Sequence, residues 1–289
     1  MKKSTLAFTL LAASALYACA TAPPQQTFAQ QAAPSKPSAA PAVSNVDTIL
    51  MQLKLHSFEV RTGRSEGAAK GVALMEEATK ANPNEARLWA GLGTSYFNKA
   101  NVSFLPGGKF AEGLSAFQRA EEAHAKALAI DPTNADALAG HGFSMAILAS
   151  FQPKPGMREE GMAEMARAIE LAPANTSIRL QRAFMSVNLP LASRNRAAEL
   201  EDLGYLARLA NGTRQGDYVR VLLGDVLFEG GDAARARQEY EAVAKSDRPG
   251  GAEARARLAA LDKGEAVATA DIMRVRQATG SNCMMCHGS

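Results

Sequence analysis

Three segments of this chain end in the same way. ATKANPNE, ALAIDPTN and AIELAPAN carry Ala78-x4-Pro83, Ala127-x4-Pro132 and Ala168-x4-Pro173. Proline has no amide hydrogen and its ring clashes with the preceding turn, so each repeat of this ending stops one helix just before another begins. From about residue 44 to Leu261 the apolar positions follow a helical period, and no convincing run alternates as a strand would. A short helical hairpin cannot bury its apolar face alone, so repeated hairpins must stack on their neighbours. The expectation is an all-α solenoid over residues 44–262, with about five hairpins and a capping helix at 251–262 (GAEARARLAALD).

The helix after Pro83 holds Trp89-x2-Leu92-Gly93-x2-Tyr96, and a later segment reads Leu223-Gly224-x2-Leu227-x3-Gly231-Asp232-x3-Ala236-x3-Tyr240. His141-Gly142-x2-Met145 is a looser copy. These motifs resemble the tetratricopeptide repeat, whose fold implies a right-handed solenoid with a concave groove that binds a protein partner. Gly93, Gly142 and Gly224 would let the two helices of a hairpin approach closely, and Ala127, Ala168 and Ala236 stand where bulk would separate them.

The spacing from Pro83 to Pro132 to Pro173 exceeds the family period of about 34 residues. Both implied insertions fall between the helices of a hairpin and look alike: Ser103-Phe104-Leu105-Pro106 and Ser150-Phe151-Gln152-Pro153. A third version is Ser186-Val187-Asn188-Leu189-Pro190. Such loops emerge on one edge of a solenoid, and two readings stand. Phe104, Leu105, Pro106, Phe151, Pro153, Leu189 and Pro190 form a partner-binding ridge, or Phe104 and Phe151 fold back to plug the hairpin tops.

The two ends carry the chemistry. Lys2 and Lys3 precede an uncharged stretch from Leu6 to Ala18, which reads as an export signal over residues 1–18. It closes on Leu16-Tyr17-Ala18-Cys19, which resembles the bacterial lipoprotein box, with Cys19 as the lipidated residue. Ala20 resembles the outer-membrane sorting choice, so the expected location is the periplasmic face of the outer membrane. Ordinary signal-peptidase cleavage near Ala20 or Ala22 is the alternative. Without Lys2 and Lys3 the 32 basic residues fall to 30 against 29 acidic ones, so nothing argues for nucleic acid. Residues 19–43 are a Pro/Ala/Gln-rich tether with one charge, Lys36, and cannot bury a core. In polyproline II form about 24 such residues reach roughly 75 Å.

At the other end, a linker and tail over residues 263–289 contain Cys283-Met284-Met285-Cys286-His287. C-x-x-C-H is the attachment signature of c-type haem: Cys283 and Cys286 would form thioethers and His287 would be the axial iron ligand. ATGSNCMMCHG is similar to the start of a class I cytochrome c, and the remainder of that fold is missing. No Met or His follows as a distal ligand; Met273, His56, His124 and His141 could reach the iron only if the tail docks on the solenoid. The same donors suit Cu(I), a second reading, and a dithiol redox pair is a third. The 3 cysteines divide evenly under the haem reading, one for lipid and two for haem.

His124 and His141 occupy places where the repeat usually has apolar residues, and the expectation is a satisfied polar pair between stacked helices. The adjacent carboxylates Glu76–Glu77, Glu121–Glu122 and Glu159–Glu160 read as solvated helix faces. No nucleophile elbow, P-loop, H-E-x-x-H or dinucleotide fingerprint is present, so the chain does not read as an enzyme. The expected function is an exported, membrane-anchored scaffold with one covalent haem c for electron transfer, whose protein partner includes a redox protein. A non-redox periplasmic adaptor, similar to repeat lipoproteins that serve transport or envelope assembly, and a Cu(I)-handling lipoprotein are the alternatives.

Overall fold

The computed structural model describes residues 45–265 apart from 62, 105–108, 153, 188 and 190. Among the described residues the chain is entirely helical: α1 (Asn45–Arg61), α2 (Glu66–Ala81), α3 (Ala86–Ser103), α4 (Phe110–Ile130), α5 (Ala135–Leu148) and α6 (Met157–Leu171). Then follow α7 (Thr176–Val187), a 3₁₀ turn (Leu191–Ser193), α8 (Arg196–Leu209), α9 (Arg214–Glu229), α10 (Ala233–Ala244) and α11 (Pro249–Asp262).

The repeated Ala-x4-Pro ending has a hydrogen-bonding basis. The amides of Asn82, Asp131 and Ala172 donate to the carbonyls of Ala78, Ala127 and Ala168 at 3.0, 2.8 and 3.0 Å. The next residue in each case is the proline, which has no amide to continue the ladder. The following helices begin on side-chain caps at α3 and α5: Glu85 accepts from the Arg87 amide and Asn134 from the Ala137 amide. Later starts use Asn195, Thr213 and Asp232 in the same role.

Helices pair as α1/α2, α3/α4, α5/α6, α7/α8 and α9/α10, with α11 covering the last hairpin. This is the tetratricopeptide-type stack of five hairpins and a capping helix. The first helices α1, α3, α5 and α7 also touch one another in succession, whereas successive second helices make no comparable contact. The second helices therefore splay, and wedges open between them.

Close approach within hairpins rests on small residues. A Cβ on Gly142 would collide with the Gly161 carbonyl oxygen, and one on Gly224 would collide with the Tyr240 ring. Ala127, Ala168 and Ala236 are fully buried.

The hydrophobic interior changes character along the stack. In hairpins two and three, Phe97, Phe104, Phe110, Phe117, Phe143 and Phe151 form a ladder with centroid separations of 5.2–5.7 Å. In hairpins four and five a seam of Leu203, Val221, Val226 and Tyr240 is accompanied by buried charge. Asp202 accepts from Arg179 at 2.8 Å and from Arg182 at 2.7 and 3.0 Å, and Glu199 accepts from Arg194 and from the Ser186 hydroxyl.

Candidate functional site

The wedge between α2 and α4, floored by α3, encloses about 370 Å³. Trp89, Leu92 and Tyr96 rise from the floor, Glu76, Thr79 and Lys80 stand on one wall, and Arg119, Glu122 and Lys126 on the other. Trp89 and Tyr96 are seven residues apart, nearly two full helical turns, so their rings share a face. Arg119 and Lys126 have the same separation on the antiparallel α4, which sets one cation against each ring. The Arg119 guanidinium lies 4.4 Å from the Tyr96 centroid and the Lys126 ammonium 4.5 Å from that of Trp89.

Each group is held from behind. The Trp89 indole N–H donates to the Pro83 carbonyl at 2.8 Å, which fixes the ring against the α2–α3 turn. The Tyr96 hydroxyl donates to Glu76, which also accepts from Arg119 at 3.3 Å. Burial and the Glu76 carboxylate hold the Tyr96 phenol well above its ordinary range, so it remains a donor at any working pH. The wedge thus presents an apolar, aromatic floor between walls rich in cationic N–H donors. Its motif residues Trp89 and Tyr96 are conspicuous in the sequence, but Arg119 and Lys126 are not. Their shared two-turn spacing was the available signal.

The second polar cluster joins hairpins two and three. His141 on α5 has Nδ1 2.6 Å from Glu164 on α6 and Nε2 3.3 Å from Glu121 on α4. Burial alone pushes the His141 imidazole down, but Glu164 and Glu121 together outweigh it and hold the ring above its ordinary value. His124, its neighbour, is buried in a slot where a Cβ on Gly93 or Gly140 would collide with its ring. Burial, with the adjacent His141, pushes His124 down to about 3, so it stays neutral. Its Nδ1 has no hydrogen-bond partner among the described residues. The expected satisfied pair is thus corrected: His141 is satisfied by carboxylates, and His124 is not. Glu76 and Glu121 keep solvent contact, as expected of such faces, and in addition hold Tyr96, Arg119 and His141. These partners are remote in sequence.

On the loop edge, Phe104 stacks on Phe117 at 5.7 Å and meets Phe110 edge-on at 5.2 Å. Phe110 in turn meets Phe151 at 5.3 Å. Phe104 and Phe151 are thus aligned across two hairpins but turned into the core, as the plug reading expects. The ring exposed on that edge is Phe110, which the insert pattern did not single out. Leu189 is half-buried, its amide donating to the Ser186 carbonyl at 2.9 Å. Leu105, Pro106, Pro153 and Pro190 lie outside the described residues, as do Cys19, Cys283, Cys286 and His287. No described helix is long and apolar enough to cross a membrane.

No protein-family profile and no curated protein matches the sequence. Among solved structures, the chain is similar to TTC0263, a thermophilic TPR protein of Thermus thermophilus. That match has 18% identity and a TM-score of 0.49 and covers 81% of this chain and 98% of the other. It is also similar to yeast Tom70, at 13% identity and a TM-score of 0.25, over 96% of this chain and 71% of that one.

Proposed function

We propose that the protein is an exported helical scaffold, anchored by lipid at Cys19 on the periplasmic face of the outer membrane, that carries one covalent c-type haem for electron transfer. The observation that carries this reading is Cys283-x2-Cys286-His287 in a chain whose residues 1–18 read as an export signal. The donor set fits the group. Each thiol can add across one porphyrin vinyl, its hydrogen passing to the vinyl carbon, and the adjacent imidazole can ligate the iron. When bound, the haem supplies a one-electron couple. The hairpin stack supports the reading by offering a rigid surface for a partner, with the tail bringing the haem to it.

Within the stack, His124 is sealed and His141 is clamped by two carboxylates, so neither serves a tail-borne iron as sixth ligand. The half-buried His56, the tail itself or a partner protein remains for that role.

The test is a haem stain after denaturing electrophoresis together with a pyridine haemochrome spectrum, on protein matured with haem-attachment machinery. Covalent haem lost in the Cys283→Ser, Cys286→Ser double variant supports the proposal. Haem-free protein that binds one Cu(I) through the same cysteines replaces it with metal handling. Haem-free protein that binds no metal and keeps its function in that variant leaves a non-redox adaptor.

A further inference from the structure

We propose that α1 is a dimerisation helix that pairs in parallel with α1 of a second copy of this chain. Thr48, Met51, Leu55 and Phe58 follow one another at spacings of three, four and three residues, the seam pattern of a two-stranded coiled coil. At about 100° per residue they fall within about 80° of arc. Met51, Leu55 and Phe58 are 57%, 62% and 41% exposed, while Leu53 and Ser57 on the opposite side of α1 are buried in the stack. The seam therefore points away from the solenoid, so two copies can meet along it with their bodies on opposite sides.

The two ends of the described stack differ in this respect. A solenoid stays soluble as a monomer when its terminal repeats carry polar outer faces. The far end meets that need: α11 exposes Ala252, Arg255, Ala256, Ala259 and Asp262 and no large apolar side chain. On α1 the three large apolar groups are exposed, and they lie in one strip instead of scattered singly.

Charge selects a second copy as the occupant and fixes its direction. Lys54 flanks one edge of the seam, and Gln52 and Glu59 flank the other. Lys54 is exposed and makes no ion pair among the described residues. Glu59 meets His56 Nδ1 at 3.1 Å and Lys70 at 3.8 Å, and keeps 24% of its side chain exposed. In a parallel pair opposite edges meet, and Lys54 of each copy falls beside Glu59 of the other, twice by symmetry. An antiparallel pair brings like edges together, so Lys54 would face Lys54. The parallel arrangement also starts both tethers at the same end of the dimer, as two anchors in one membrane require; this point rests on the lipid proposed at Cys19. A four-residue seam is a small interface, so pairing should draw on the high effective concentration of copies that share a surface.

Disulfide cross-linking of the full chain in isolated membranes tests this, with Cys283→Ser, Cys286→Ser as the background so that the tail cannot link. Met51→Cys and Phe58→Cys should each yield a covalent dimer on mild oxidation, and Arg255→Cys on α11 should not. The two seam positions are about 10.5 Å apart along α1, so an antiparallel pair could self-link at one of them at most. Leu55→Glu added to either variant should cut the cross-linked fraction about tenfold or more, and Lys54→Glu about threefold. Both sites are exposed, so the far-ultraviolet circular dichroism should not change. Linking at only one seam position, or equally at Arg255→Cys, overturns the proposal. So does linking at neither, and protection of Met51→Cys from a thiol reagent by phospholipid vesicles would then give the strip to the membrane instead. Fractionation tests the anchor separately: soluble protein that still links at both positions when concentrated removes the anchor and leaves the dimer.

Discussion

Hairpins one to three and hairpins four and five close the same solenoid by different means. Among the described residues, every buried arginine, aspartate and glutamate lies between Arg179 and Arg257, whereas α1 to α6 bury only hydroxyls, Asn101 and His124 among polar side chains. The first part is held by a phenylalanine ladder and by methionine and alanine contacts. The second adds Arg179–Asp202–Arg182, Arg194–Glu199 and Tyr240–Asp225–Arg257 to its apolar seam. Apolar packing is non-directional and loses roughly what is deleted. A buried ion pair is fragile in another way, because removing one member strands the other without water.

The largest effects should come from one deletion in each part. Asp202→Ala leaves Arg179 and Arg182 with only the exposed Glu201 as counter-ion, and should cost about 3 kcal/mol. Phe117→Ala should cost a similar amount, about 3–5 kcal/mol, by opening a cavity in the ladder. The two differ in their rescue. Replacing Asp202, Arg179 and Arg182 together by apolar residues of similar volume should recover most of the loss, and no second polar change should rescue Phe117→Ala. Denaturant titration of the single, double and triple variants measures this. If the triple variant is no better than Asp202→Ala, the buried charges are not the weak point proposed here.

An intermediate effect should separate the parts by pH. His124 is pushed down to about 3 in the fold, while an unfolded histidine takes a proton near 6.5. The unfolded chain therefore gains protons first as pH falls, and stability is lost progressively from about pH 6.5 downward. Between pH 7 and 5 this amounts to about 2 kcal/mol. His141 runs the other way: its raised value stabilises the fold fully below about 6.5, and that contribution fades as pH rises through the folded value. His124→Leu should flatten the acid limb, and His141→Gln should weaken the protein more at about pH 6 than at about pH 8. Hydrogen exchange resolved by helix should place both changes in α3 to α6; a response centred on α7 to α11 would contradict the assignment.

The smallest effects should erase the contrast. Asn134 and Asn195 cap α5 and α8 in the same way, at 3.0 and 3.1 Å. Each change to alanine should cost about 1 kcal/mol, since a cap acts within its own first turn. Thermal midpoints that fall much further for one than the other would show that capping, too, depends on the surrounding part of the stack.

The fold was largely legible because its signals are local. Ala78, Ala127 and Ala168 end their helices through a bond to the residue four further on, immediately before a proline, and that pattern is visible in any single copy. The candidate site was legible in part. Trp89 and Tyr96 stand in a recognisable motif, whereas Arg119 and Lys126 look like any surface cations until α4 is laid antiparallel to α3. Phe104 and Phe151 allowed two readings because a loop aromatic is apolar whether it faces a partner or its own core.

Where the helices stop, how they pair and that the pairs must stack follow from residue order alone, since proline, glycine and apolar period act within a few residues. Which charges are buried is a matter of packing in three dimensions, because Asp202 and Asp225 meet their arginines across different helices. The same packing pushes His124 down and holds His141 above its ordinary value, although the residues are of one type. Charge state in this protein follows from burial and neighbours, and both are created by the stack.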